Sequence, residues 1–304
     1  MLIPDETDRN QHSNFPSVVW AIDRDLVCVG GRFGDFVCLV HGDKGILVLI
    51  VLSPAKTLDF ESPLPTRKHS VPAMVGESEQ LIEVLATKTP AQIAKLMNLS
   101  DKLADLNVER YRTWEPTFTP DQARPAVLAF KGDVYMGMEI ERYGERDFTQ
   151  AQKSLRILSG LHGLLRPLDL IHPYRLEMGT DLKNPRGKNL YEFWGDRITD
   201  AINADLADHK PKVLVNLASQ EYFGAVQPAR VDGRIVSPVF LDEKNGKQKI
   251  ISFFAKRARG SMASWLILNR VKSLKGLTEF DGMGYAYDPE LSTENSPTFT
   301  RGEQ

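Results

Sequence analysis

The sequence has little cysteine. Its 304 residues hold two, Cys28 and Cys38, in no metal-binding or redox spacing. A disulfide framework, a cysteine-built zinc site and a peroxidatic thiol are therefore not expected. Long apolar runs are also missing. The longest, residues 46–52, has seven residues, against the ~20 that a membrane helix needs, so it reads as a buried strand and no membrane partner is expected. His69, His162, His172 and His209 are scattered, with no His-x-x-x-His or carboxylate–His pair at helical spacing, so no metal and no other cofactor is expected. Ser53-Pro54-Ala55-Lys56-Thr57 follows a strand and ends in Lys-Thr as phosphate loops do. It lacks the glycines that let backbone wrap a phosphate, which argues against nucleotide hydrolysis. The first ten residues carry Asp5, Glu6 and Asp8 and no apolar segment behind a basic start, the expectation for a cytoplasmic chain.

What is present is an ordinary globular composition, 42% apolar and 26% charged, in a chain long enough to bury a sizeable core without staples. Charge is uneven. Residues 1–45 hold seven of the 40 acids and four of the 38 bases, which leaves 33 acids and 34 bases, a net +1, for the rest. Residues 238–275 carry nine bases against Asp242 and Glu243. That asymmetry fits an anionic partner, and it equally fits a solvated face.

Residues 1–47 are rich in Asp and Gly, with short apolar pieces around Leu26-Val27 and Phe36 to Val40. They read as an N-terminal extension, poorly ordered or supplied by an upstream start, with a genuine extra hairpin as the rival. From 48 to 304 strands and helices alternate without a linker or repeat. The expected fold class is α/β in the mixed α+β sense: a single compact domain with a mixed sheet and surrounding helices. Leu81, Ile82 and Leu85 share one face of a first helix, Pro90 opens a second, and Ser100 caps a third running towards Trp114. Residues 126–130 read as a short strand. Phe148, Ala151, Leu155 and Leu158 predict one amphipathic helix, and Leu190 to Leu206 the longest helix. Val213 to Leu217 reads as a buried strand. Residues 234–242 and 249–254 flank Lys244-Asn245-Gly246-Lys247, a tight hairpin turn. A last helix is expected near Ser261, with Ile267, Val271 and Leu274 on one face, and a loose polar tail after Asp288.

Two motifs point to phosphate. Residues 158–163, Leu-Ser-Gly-Leu-His-Gly, have the hydrophobic-x-Gly-hydrophobic-x-Gly pattern of a DNA-binding hairpin, with Gly160 and Gly163 permitting the turn and Arg156 and Arg166 beside it to meet phosphates. The same residues fit an ordinary helix C-cap at Gly160, with His162 a hairpin or surface residue. Lys256-Arg257-Ala258-Arg259-Gly260 is a basic cluster read at a strand-to-helix junction, where a helix start would add positive dipole. Its alternative is a solubilising surface patch.

Five blocks in order carry a resemblance over nearly all of 48–304: LSPAKTLD (52–59), AFKGDVY (129–135), LSGLHGLLRPLDLIHPYRLEMG (158–179), NLASQEYF (216–223) and PVFLDEKNGKQKIISFFAKRARG (238–260). Together they resemble the YaaA peroxide stress resistance family, departing from it in the long N-terminus and at Phe254 and His162, where tyrosine is common. The resemblance implies a cytoplasmic protein that limits reactive intracellular iron, with a helix-hairpin-helix element and a basic cleft able to hold DNA, duplex or branched, mostly through phosphates. The expected DNA-binding residues are Lys56, Lys131, Arg156, Gly160, Gly163, Arg166, Arg175, Lys256, Arg257 and Arg259. No catalytic residue is assigned. The alternative is an enzyme acting on a nucleic-acid or phosphorylated substrate in the same cleft, for which Asp59, Asp133, Glu221 and Tyr222 are the polar candidates.

Overall fold

The computed structural model describes residues 48–303 and, before them, the backbone of three strands. The chain divides into two compact units, Met1–Gly45 and Ile46–Gln304. In the first, β1 (Ala21–Asp23), β2 (Leu26–Gly30) and β3 (Phe36–Val40) pair antiparallel in that order. Strands β2 and β3 fall on the short apolar pieces around Leu26-Val27 and Phe36 to Val40; β1 lies outside both. The other expectations for residues 1–47 lie outside the described residues.

The second unit is a mixed α+β fold built on β4 (Leu49–Leu52), every residue of which is buried. The chain then forms a short β5 (Thr57–Leu58) and three helices, α1 (Val75–Ala86), α2 (Pro90–Met97) and α3 (Asp101–Arg112). Helix α1 buries Leu81, Ile82 and Leu85, the stripe expected from their spacing. Pro90 opens α2 behind a Thr89–Gln92 capping box. Ser100 stands at the N-cap of α3, but its side chain makes no capping bond.

Between Arg124 and Ser154 lie β6 (Arg124–Pro125), α4 (Ala126–Ala129), β7 (Phe130–Lys131), α5 (Asp133–Met138) and α6 (Glu145–Ser154). Residues 126–129, read as strand, form one helical turn, because the run is buried on every side and burial alone does not choose a period. The expected helix through Leu158 ends at Ser154. Its last apolar residues continue as β8 (Leu155–Ser159), which turns into β9 (Gly163–Leu165).

The segment 158–163 is thus a β-hairpin within the sheet, and the helix-hairpin-helix expected there is corrected. Burial decides it: Leu158 to Leu161 and His162 are all at 0% exposure except Gly160 and Gly163, which are also buried. Gly163 turns at φ +65 against the ring of Trp194, a conformation and a closeness that a side chain would not tolerate. His162 is a core residue and not a surface one. Its Nδ1 lies 3.0 Å from Ser78 Oγ, its Nε2 has no partner, and Phe118 and Tyr174 meet its ring edge to face. Burial, with a smaller contribution from His172, pushes its pKa down to about 3.

After β10 (Leu170–Ile171) the expected long helix is two, α7 (Leu190–Trp194) and α8 (Arg197–Leu206), broken at Gly195. Then come β11 (Val213–Asn216), α9 (Gln220–Phe223) and β12 (Arg234–Val236). The main sheet runs β12-β11-β4-β8-β9, with the first four strands parallel and β9 antiparallel. From β4 the chain first adds β8 on one side, then crosses to add β11 and β12 on the other. The order therefore reverses between β4 and β11.

A second sheet, β14-β13-β16-β15, is made by β13 (Val239–Lys244), β14 (Lys247–Lys249), β15 (Ala286–Thr293) and β16 (Ser296–Arg301). Asn245 and Gly246 turn its hairpin at φ 54 and 68, as the dipeptide demands. The tail expected to be loose is instead an inner strand. Phe299 is fully buried, and buried Arg301 pairs with buried Asp242, whose carboxylate also accepts the Tyr285 hydroxyl. As an inner strand the tail is buried on both faces, with Thr298 buried beside Phe299 and Arg301.

The longest helix among the described residues is α10 (Ser252–Leu268), followed by α11 (Leu274–Leu277). Helix α10 begins at Ser252, well before the start expected near Ser261, and Val271 lies beyond its end. It crosses α5 backbone to backbone. A Cβ on Gly260 would strike the Val134 carbonyl, and one on Gly137 the Arg257 carbonyl.

Two outcomes follow from this packing. Gly260→Ala should destabilise the chain by at least about 1–3 kcal/mol, lowering Tm by several degrees. Gly76→Ala, where a Cβ meets nothing within 4 Å, should be neutral or mildly stabilising; calorimetry compares them. The second concerns pH. The unfolded state protonates His162 near pH 6.5 and the native state only near 3, so stability falls as pH drops through that window, by up to about 1.4 kcal/mol per pH unit. Urea titrations at several pH values should show His162→Gln losing less stability than the native chain between pH 6 and 4.

Candidate anion-binding cleft

The loops that leave the carboxyl ends of β4 and β11 lie side by side where the strand order reverses. In open α/β sheets that crevice is the usual ligand position. Leu217 N–H donates to Val51 O at 3.0 Å, and Ser219 N–H donates to Ser53 Oγ at 2.8 Å, so one loop is tied across the other. The buried Tyr135 hydroxyl holds the Ser53 carbonyl at 3.0 Å, and burial raises its pKa well above the ordinary value.

The β4 loop returns as β5, which pairs antiparallel with β7 and sets Thr57 opposite Lys131. This brings Lys56 and Lys131 to one rim. The α5–α10 crossing brings Lys256 and Arg259 to the other. Between them opens a cleft of about 440 Å³, lined also by Asp133, Glu177, Ser219, Glu221 and Tyr222. That volume is within the range of small-molecule sites.

The four cations are not equivalent. Lys56 Nζ pairs with Glu177 at 2.7 Å and Lys131 Nζ with Asp59 at 3.1 Å. Asp59 also receives the Ser62 N–H and hydroxyl and the Glu61 N–H, and these bonds hold its carboxyl far below the usual range. Lys256 and Arg259 have no hydrogen-bond or ion-pair partner among the described residues, and burial lowers the Arg259 pKa. A half-buried guanidinium without a counter-ion favours an anion arriving from outside. Burial also raises the Tyr222 pKa, so its hydroxyl stays protonated.

Of the ten residues read from the sequence, Lys56, Lys131, Lys256 and Arg259 line the cleft. Arg175 lies behind Lys56, its guanidinium bonded to Glu177 at 3.0 Å. Arg257 does not line the cleft; its guanidinium lies over the Phe253 ring at 4.6 Å. The remaining four lie elsewhere in the fold. Arg156 is buried and bidentate to Asp205 at 2.6 and 2.8 Å, tying β8 to α8. Gly160 and Gly163 are buried in the β8–β9 turn. Arg166 is held by Asp169 and the Val71 carbonyl, 3.0 and 2.9 Å away. The basic cluster lies in the second turn of α10, not at its start, because the helix begins at Ser252.

Ser53, Glu177 and Ser219 were not read from the sequence as a site. Each stands within a resemblance block, and Ser53 and Ser219 each follow a predicted strand, but only the strand order makes those two ends neighbours. Asp133, Glu221 and Tyr222 do line the cleft; Asp59 acts through Lys131. Among the described residues no three His, Cys, Asp or Glu side chains cluster as a metal site, and no helix is long and apolar enough to cross a membrane. A family model described as "Peroxide stress protein YaaA" matches residues 48–291.

Proposed function

The chain belongs to the peroxide stress protein YaaA family, and from that premise we propose that it lowers reactive iron under peroxide stress in the cytoplasm and binds DNA through phosphates at the cleft. The observation that carries the DNA part is the pair of unpartnered cations, Lys256 and Arg259, in a crevice whose other lysines are already matched by Glu177 and Asp59. Phosphate neutralisation supplies most sequence-independent affinity for DNA. A helix-hairpin-helix element has a candidate away from the one the sequence pattern marked. Helices α2 and α3 are joined by a short turn of Asn98, which takes a left-handed φ of 51, then Leu99 and Ser100.

Substituting Lys256→Glu with Arg259→Gln should weaken duplex and four-way-junction binding and flatten log affinity against log salt by roughly 1.8 units, about 0.9 per phosphate. Reversing Lys244 and Lys247, exposed at the hairpin tip, should change the slope far less. Equal weakening by both pairs would mean diffuse attraction with no defined cleft. For the iron part, deleting the gene should raise peroxide sensitivity, and a cell-permeant iron chelator should relieve it. Sensitivity unchanged by the chelator would sink that part.

A further inference from the structure

Thioether sulfur is a group that peroxide oxidises, and access decides which methionine reacts. The methionines of residues 48–303 differ in that access. Met138, Met178 and Met262 are buried, and Met74, Met97 and Met283 are half-buried. Met74 Sδ packs against the Gly163 turn, and Met97 Sδ accepts the Tyr111 hydroxyl at 3.7 Å. Only Met136 among them is exposed, at 55%.

What Met136 touches sets it further apart. It stands on α5 beside Gly137, whose backbone meets the Arg257 carbonyl of α10. Across that crossing Arg257 Nη2 donates to Met136 Sδ at 3.9 Å. Arg156, Arg166, Arg175 and Arg301 each meet a carboxylate. Arg257 meets none among the described residues, and its buried Nε has no hydrogen-bond partner. A full cation thus donates to a thioether, a weak acceptor. An oxygen added to that sulfur would put a polar acceptor in the same place, and hydrogen bonds from a charged donor to oxygen are the strong ones. Methionine is unbranched and flexible, so the oxygen can turn onto the guanidinium without moving either helix.

We propose that Met136 is a modification site for hydrogen peroxide whose sulfoxide is received by Arg257, so that oxidation tightens the α5–α10 crossing. The thioether sulfur attacks one peroxide oxygen. The S–O bond forms as the O–O bond breaks, and the leaving oxygen takes that bond's electron pair and both peroxide protons and departs as water. Sulfur is oxidised to the sulfoxide and the peroxide is reduced; a methionine sulfoxide reductase reverses the change. Sulfoxide formation in a core disrupts packing, whereas here the new oxygen meets an exposed edge and a donor that lacks a good acceptor. Neither Met136 nor Arg257 lines the cleft, so the site does not depend on what the cleft binds.

The test treats the full chain with dilute hydrogen peroxide, a metal chelator being present to suppress radicals, and follows oxygen uptake by peptide mass mapping against time. Met136 should gain one oxygen several-fold faster than any of the other methionines named above. Once Met136 alone among them has reacted, the chain should melt higher than before treatment by roughly 1–4 °C, the scale of one added hydrogen bond in a chain of this size. Met136→Leu, treated alike, should show no shift. Arg257→Leu should still oxidise at Met136 but lose the gain. Uptake at Met136 no faster than at a half-buried methionine, an unchanged or lower Tm in the oxidised native chain, or an equal gain in Arg257→Leu would each overturn the site. The sign of the native chain's own shift decides even if Arg257→Leu does not fold.

Discussion

The close crossing of α5 and α10 is the constraint on which the site depends. At Gly137 and Gly260 each helix meets the other's backbone with no room for a side chain. That closeness lets one short helix, whose start is set by β7, define where the second turn of a 17-residue helix lies relative to the main sheet. Because β7 is itself paired to β5, the return of the β4 loop, the Lys56–Lys131 rim and the Lys256–Arg259 rim share one rigid frame. Functional groups held on packed elements keep their geometry better than groups carried on free loops.

Within that frame charge is divided between structure and site. The most buried guanidiniums stitch elements together: Arg156 joins β8 to α8, Arg124 bonds the Ser62 and Leu128 carbonyls at 2.6 and 3.0 Å, and Arg301 fastens β16 to Asp242 of β13. Each is matched by carboxylates or carbonyls, as a buried cation must be. Among the described residues Lys256 and Arg259 are unmatched, and both line the open cleft. The contrast between these paired deep arginines and the open cations of the cleft is better evidence for an anion site than the excess of bases over residues 238–275.

The second sheet serves the site indirectly. Its inner strand β16 closes the C-terminus onto β13 through stacked and edge-on aromatics, Phe240, Phe280, Tyr285 and Phe299. Arg301 also lies 4.4 Å over the Phe254 ring at the start of α10. The end of the chain thereby braces the helix that presents Phe253, Lys256 and Arg259. Truncation before β16 would remove that brace although it touches no cleft residue.

The sequence by itself determined the local and the generic. Apolar stripes placed α1, Pro90 and Thr89 opened α2, and Asn245-Gly246 turned its hairpin, because each depends only on neighbours a few residues away. The five blocks also named the family and four of the cleft's cations. Tertiary structure decided the rest, for reasons of burial and strand order. Residues 158–163 carry glycines spaced as in a DNA-binding hairpin, yet the sheet takes them as β8 and β9, since fully buried apolar segments carry no period to tell helix from strand. Arg156 and Lys256 look alike in sequence. One is spent on Asp205 and the other left free only because of which carboxylates the fold brings near them. Ser53 and Ser219 lie 166 positions apart, and no local signal joins them. They become neighbours because the chain reverses its strand order between β4 and β11, and that reversal makes the crevice.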